Sequence, residues 1–173
     1  MRLFYALWPT PATQREWYDA TGSLLTPWGG RRMPPENLHL TLHFLGDIAA
    51  DRVNQLCQLA EDAAGNAIDL RFDRLEAWGK ADLACLRADD TPDLLRLVGQ
   101  LGTGLNMAGI ATDKRRYKPH ITLARDLHFV EGSLPVWPVL SWRADTLALV
   151  RSRLGPLGSE YSPIASWPLP ATP

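Results

Sequence analysis

The reading of this chain turns on one stretch, Asn37-Leu38-His39-Leu40-Thr41-Leu42-His43-Phe44-Leu45-Gly46, which returns in altered form as Lys118-Pro119-His120-Ile121-Thr122-Leu123-Ala124-Arg125. A dense apolar run closed by a glycine predicts a strand from Leu38 to Leu45, and the second copy predicts another over 119–124. Residues two apart in a strand share a face. His39 and Thr41 are therefore expected to point one way, with Leu40, Leu42 and Phe44 packing the other way on helices. The second copy sets His120 and Thr122 against Ile121 and Leu123 in the same manner. Each element is half core and half polar, and its polar half is an imidazole beside a hydroxyl.

The two copies lie 81 residues apart, and so do two helix starts, Thr10-Pro11 and Thr91-Pro92. Threonine can cap the first free amides of a helix, and proline is tolerated at its first position. One shared signature is compatible with coincidence; two at a single offset predict a duplicated unit. Around these anchors the pattern predicts a first strand over 2–8 and a helix from Thr10 to about Leu24, then a basic turn at Arg31-Arg32. Val53, Leu56, Cys57 and Ala60 at helical spacing predict a second helix. Residues 68–78 and 83–88 read as a hairpin, Leu94, Leu97, Val98 and Leu101 line one face of a third helix, and final strands fall near 143–151 and 161–169. Pro168, Pro170 and Pro173 predict that regular structure ends at about 168. Two halves do not make a solenoid. They make one two-lobed domain over residues 1–173, with approximate two-fold symmetry and the repeated strands facing a central cleft.

Bulk properties narrow the function. Apolar residues make up 46% and charged residues 21%, as in ordinary globular chains, and a net charge of −1 excludes a global basic field for non-specific duplex binding. Contact with nucleic acid would have to be local. Arg31, Arg32, Lys114, Arg115, Arg116 and Lys118 cluster before the two motifs, either lining the cleft mouth for an RNA backbone or standing as solvated loop charges. Cys57 and Cys85 have no zinc spacing and are expected to be two buried thiols. The apolar start Met1 to Trp8 stops at Pro9, too short for a signal-peptide core or a membrane span, so a cytoplasmic protein is expected.

Two imidazoles and two threonines around one site suit phosphoryl chemistry on a cyclic diester. Imidazole titrates near neutrality, so one ring can accept a proton while the other donates one. Threonine hydroxyls can hydrogen-bond the non-bridging oxygens, whose charge grows toward the transition state. No metal and no cofactor is required by this scheme. His43 is the control: read as sharing the face of His39 but lying about 13 Å along the strand, it is too far to chelate a metal with it. It has no counterpart in the second copy, where Ala124 stands, and is expected to be structural, as is His128.

The sequence resembles the two-histidine phosphoesterase superfamily, and within it the bacterial and archaeal RNA 2′,3′-cyclic phosphodiesterases, once called 2′-5′ RNA ligases. The resemblance rests on the two motif regions quoted above. It extends to the opening strand Arg2-Leu3-Phe4-Tyr5-Ala6-Leu7 and to the closing pattern from Ser152 through Gly158 to Tyr161 and Trp167. It implies an α+β fold with mainly antiparallel sheets flanking the cleft and helices packed outside. It also implies opening of a 2′,3′-cyclic phosphate to a 2′-phosphate, with His39 protonating the leaving 3′ oxygen and His120 activating water. Thr41 and Thr122 would hold phosphate oxygens, and Arg125 would bind phosphate or stack on a base. The chemistry of a near-symmetric pair does not by itself fix which histidine plays which part. Trp8 and His43 depart from the family pattern at positions expected to stay clear of the chemistry. Partners are expected to be RNA 3′ ends or small cyclic nucleotides, met by a monomer. The alternatives are another small cyclic phosphodiester, such as a cyclic phosphate of ADP-ribose, reversible 2′-5′ ligation, or an RNA-end-binding module without catalysis.

Overall fold

A computed structural model describes residues 1–26, 29–78, 82–127, 139–156 and 158–171. Strand β1 (Arg2–Leu7) leads into helix α1 (Pro11–Leu25), the two-residue strand β2 (Arg31–Arg32) and strand β3 (Leu40–Asp47). Helix α2 (Val53–Ala63) precedes the hairpin of β4 (Ile68–Trp78) and β5 (Leu83–Ala88). Helix α3 (Pro92–Met107), β6 (His120–Arg125), β7 (Leu140–Ala144), β8 (Thr146–Gly155) and β9 (Gly158–Pro168) follow. Both Thr-Pro starts cap as expected: Thr13 N donates to Thr10 Oγ1 at 3.2 Å, and Leu94 N to Thr91 Oγ1 at 3.3 Å.

Among the described residues every pairing is antiparallel, and the strands form one nine-stranded sheet ordered β7-β4-β5-β6-β3-β1-β8-β9, with β2 also paired to β6. The two expected sheets are thus the two halves of one sheet, β9-β8-β1-β3 and β6-β5-β4-β7. They join where Leu40 of β3 faces Ile121 of β6. Beyond that pair, β2 takes over the edge of β6, with Arg31 opposite Arg125 and Arg32 opposite Ala124. The expected basic turn is therefore a short strand. Gly30 makes it possible: at φ +79°, a Cβ there would stand 2.6 Å from the Arg125 carbonyl oxygen.

All three helices lie on one face. The main core fills the space beneath them, with Leu3, Leu7, Leu40, Leu86, Ile121 and Leu147 from the strands fully buried. Helices α1 and α3 each cover strands of the opposite half, whereas α2 packs on β8 and β9. Trp17 of α1 packs edge-on against Phe72 of β4 and Trp142 of β7, with ring centroids 5.9 and 5.1 Å apart. Conversely, α3 lies over β3 and beside α2. The strand expected over 143–151 is two strands, broken at Asp145 where β7 ends and β8 begins. Regular structure ends at Pro168 as expected, and the tail beyond it is docked. Leu169 is buried, its amide donates to Asp145 O at 2.7 Å, and Ala67 N donates to Pro170 O at 2.8 Å. Proline ends the ladder there, but an apolar side chain and two backbone bonds still dock the segment.

Both cysteines are free thiols, Cys85 buried and Cys57 only half-buried. No helix of the described residues is long and apolar enough to cross a membrane. His128 lies outside the described residues.

Candidate active site

Both motif strands carry an extra residue directly after the threonine. Ala6 faces Thr41 while Tyr5 faces His43, which leaves Leu42 without a partner in β1. Cys85 faces Thr122 while Ala84 faces Ala124, which leaves Leu123 without one in β5. A bulge of this kind re-aims the side chains that follow it and often lies beside a functional site. It overturns the expectation for His43 and Phe44. His43 turns to the helix side, where its Nε2 donates to the Val98 carbonyl of α3 at 2.8 Å. Phe44 turns to the open face, where its ring lies parallel to that of Phe4 at 6.2 Å. His43 is structural, as expected, but the bulge separates it from His39 rather than distance along a shared face.

The single Leu40–Ile121 pair fixes how the motifs meet. Continued one residue either way, the antiparallel register sets His39 across from Thr122 and Thr41 across from His120. Leu40 and Ile121 point into the core, so all four polar side chains lie on the open, helix-free face. The structure thus brings His39, Thr41, His120 and Thr122 to one place. Their two-fold axis passes through the joining pair.

The two imidazoles are held alike. His39 Nδ1 donates to the Asn37 carbonyl at 2.7 Å, and His120 Nδ1 to the Lys118 carbonyl at 2.7 Å. With Nδ1 carrying its proton into that bond, Nε2 is the free basic atom in each neutral ring. His39 Nε2 accepts from the Thr41 hydroxyl at 3.0 Å. Asn37 is itself anchored, its side-chain amide donating to Ser159 O at 2.7 Å. Tyr117 braces the same strand by donating its hydroxyl to Thr41 O at 2.8 Å.

Their surroundings differ. His39 sits among rings: Phe4 stacks on it at 4.9 Å, Trp8 at 5.3 Å, and Tyr161 meets it edge-on at 5.1 Å. Trp8 therefore touches His39 directly, contrary to expectation. Burial pushes His39 down to about 4, with the charges of His120 and Arg125 adding to the effect and the Asn37 bond opposing it. His120 lies 4.7 Å from the Trp78 ring, whose Nε1 donates to Glu76 Oε2 at 2.7 Å. It too is pushed below the ordinary imidazole value, chiefly by burial and then by Arg87 and Arg125, against the Lys118 bond and Glu76. Arg125 ends β6, three residues past Thr122, and its positive charge adds to the lowering of both rings.

The loop cations divide. Arg32 is structural, its guanidinium stacked on Tyr18 and bonded to the Tyr18 carbonyl and to Thr21. Arg115 closes on Asp113, and Arg31 meets Asp126 at 3.4 Å. Arg116 and Lys118 instead join Arg74 and Arg87 around one pocket. Arg87 and Trp78 escaped the sequence reading because strand pairing alone brings them to His120, and Arg74 because it pairs with Arg87 one strand further out. Trp8 was legible: it continues the period-two face of Phe4 and Ala6. Among the described residues, no three His, Cys, Asp or Glu side chains gather as a metal-binding group.

A two-lobed antiparallel sheet bearing paired His-x-Thr strands on its open face defines a two-histidine phosphoesterase. Residues 7–82 match the family described as LigT like phosphoesterase. The chain is 30% identical to the RNA 2′,3′-cyclic phosphodiesterase of Escherichia coli, covering 97% of this chain and 96% of that protein. It is also 30% identical to the Thermus thermophilus protein of the same name, over 98% and 90%. E. coli LigT complexed with 3′-AMP superimposes with a TM-score of 0.84 at 25% identity, covering 97% of each chain. The chain belongs to the LigT-like phosphoesterase family.

Proposed function

We propose that this protein hydrolyses the 2′,3′-cyclic phosphate at RNA 3′ ends to a 2′-phosphomonoester, with His39 as general acid and His120 as general base. The observation that carries the reading is the matched pair of Nδ1–carbonyl bonds, which leaves two Nε2 atoms on one face, each across from a threonine. His120 Nε2 takes a proton from water, the resulting hydroxide forms a bond to phosphorus, and the bond to the 3′ oxygen breaks. His39 gives its Nε2 proton to that oxygen. Protonated His39 would turn Thr41 from donor to acceptor and free its hydroxyl proton for a phosphate oxygen. Thr122 and Arg125 would bind the remaining charge. Two relatives named for this activity, each aligned over nearly the whole chain, support the reading. We extend it to one folding unit acting as a cytoplasmic monomer on RNA ends or small cyclic nucleotides.

The test is turnover of an RNA ending in 2′,3′-cyclic phosphate, in excess EDTA, with the position of the product phosphate determined. A 2′-phosphate released undiminished by chelator is expected. A 3′-phosphate product would overturn the assignment of the leaving oxygen. Loss with EDTA and rescue by a divalent ion would overturn the two-histidine mechanism, and binding without turnover would favour an RNA-end-binding module.

A further inference from the structure

The open face has two unlike walls. On the first half Phe4, Ala6, Trp8, Phe44 and Tyr161 line it. On the second half the strands flanking His120 carry charge. Where β1 has Ala6, β5 has Arg87, 81 residues on, directly opposite His120 in the ladder. Arg87, Arg74, Arg116 and Lys118, with Asp89 and Asp90, line a pocket of about 240 Å³.

We propose that this pocket is a second anion subsite, receiving the phosphate on the 5′ side of the nucleotide whose cyclic phosphate lies between His39 and His120. The proposal rests on the phosphodiesterase reading and extends it from the reacting group to its neighbour. Four cations and two carboxylates line the pocket, and Glu76 and Asp73 pair with Arg87 and Arg74 from outside the lining, which leaves Lys118 as the lining cation with no carboxylate partner among the described residues. The Arg87 side chain is only 12% exposed; Nη1 donates to Pro119 O at 2.8 Å, while Nε forms an ion pair with Glu76 at 3.4 Å but no hydrogen bond. A buried guanidinium whose donors are incompletely bonded is costly, and an arriving anion would bond those that remain. Arg74 bonds Asp89 at 2.5 Å and Arg116 bonds Asp90 at 2.9 Å, yet both arginines remain 47% and 84% exposed, with donors to spare.

Position points the same way. The Lys118 carbonyl accepts the His120 proton and Arg87 faces His120 in the ladder, so the pocket adjoins the proposed reacting centre. The facing wall is aromatic: it can stack a base but offers a phosphate few donors. An RNA end thus has one orientation that satisfies both walls.

The test compares adenosine 2′,3′-cyclic phosphate carrying a 5′-hydroxyl with the same compound carrying a 5′-phosphate. Wild type should show about tenfold higher kcat/KM for the 5′-phosphorylated substrate, through KM, as expected for a charge-assisted contact. The advantage should shrink with salt. In R74A/R116A it should fall to about twofold or less while the 5′-hydroxyl substrate is turned over as by wild type. R116A alone, at a side chain 84% exposed and free of packing, should lose part of it. R15A/R96A, equal in charge loss on the exposed faces of α1 and α3, should keep all of it. Equal use of both substrates by wild type, an advantage surviving in R74A/R116A, or one lost equally in R15A/R96A would each overturn the subsite alone. Turnover of neither substrate would overturn the phosphodiesterase reading and the subsite with it.

Discussion

At the scale of single residues, the proposed chemistry rests on the His-x-Thr spacing, with aromatic rings packed around His39. His39→Ala and His120→Ala should each lower kcat by at least roughly 10²-fold, the usual scale for a lost general acid or base. His43→Ala, which removes only the bond to Val98 O, should leave turnover near wild type and cost about 1 kcal/mol of stability by denaturant titration. A tenfold loss of kcat in that variant would refute the assignment of His43 to the helix side. The pH dependence follows from burial. Both imidazoles are pushed below 6.5 in the free protein, His39 to about 4, so both limbs of the kcat/KM profile should bend below pH 6.5. The proposed mechanism needs His39 charged and His120 neutral, and at pH 7 the free protein holds His39 mostly neutral. Bound phosphate favours the charged rings, so the limbs of kcat should lie higher than those of kcat/KM. Residual activity of His39→Ala should lack the alkaline limb, and that of His120→Ala the acidic one. The reverse pattern would exchange the two roles.

At the scale of elements, the duplication repeats more than a motif. The caps at Thr10 and Thr91, the Nδ1 bonds and the bulges at Leu42 and Leu123 all recur at the same offset. Thr10→Ala and Thr91→Ala should each cost about 1 kcal/mol in denaturant titration, and the double variant should lose the sum, because the caps share no neighbours. A clear departure from additivity would mean the two helices are coupled. The strands and helices were largely legible, because apolar spacing and Thr-Pro starts are local signals. The bulges were not. Strict alternation put His43 beside His39 and Phe44 in the core; one extra residue, defined only by the pairing of β3 with β1, reversed both.

Across the molecule, the two halves exchange α1 and α3, while α2 packs on β8 and β9. Since α1 covers β4 and β7 while α3 covers β3, neither half can bury its apolar face alone. Unfolding should therefore be one cooperative transition. Trp17→Ala removes a fully buried ring from that exchange and should lower stability by about 3–5 kcal/mol. Fluorescence and circular dichroism should shift together; a second, separate transition would show that the halves fold independently.

Linear pattern was enough to read this chain as a duplication whose repeated strands carry His39, Thr41, His120 and Thr122. These follow from periodicity, offset and family resemblance, which need no third dimension. What surrounds the pair emerged only on folding. Asn37 and Lys118 reach the rings through local turns of the backbone, but Tyr161 meets His39 and Arg87 meets His120 from other strands. Strand order and register bring those residues together across many positions of chain, and register depends on pairing that no local pattern encodes. The aromatic wall and the cationic wall differ for the same reason. Equivalent positions of a duplicated fold carry independent side chains, and only their assembly on one sheet sets Ala6 and Arg87 on opposite sides of the same axis.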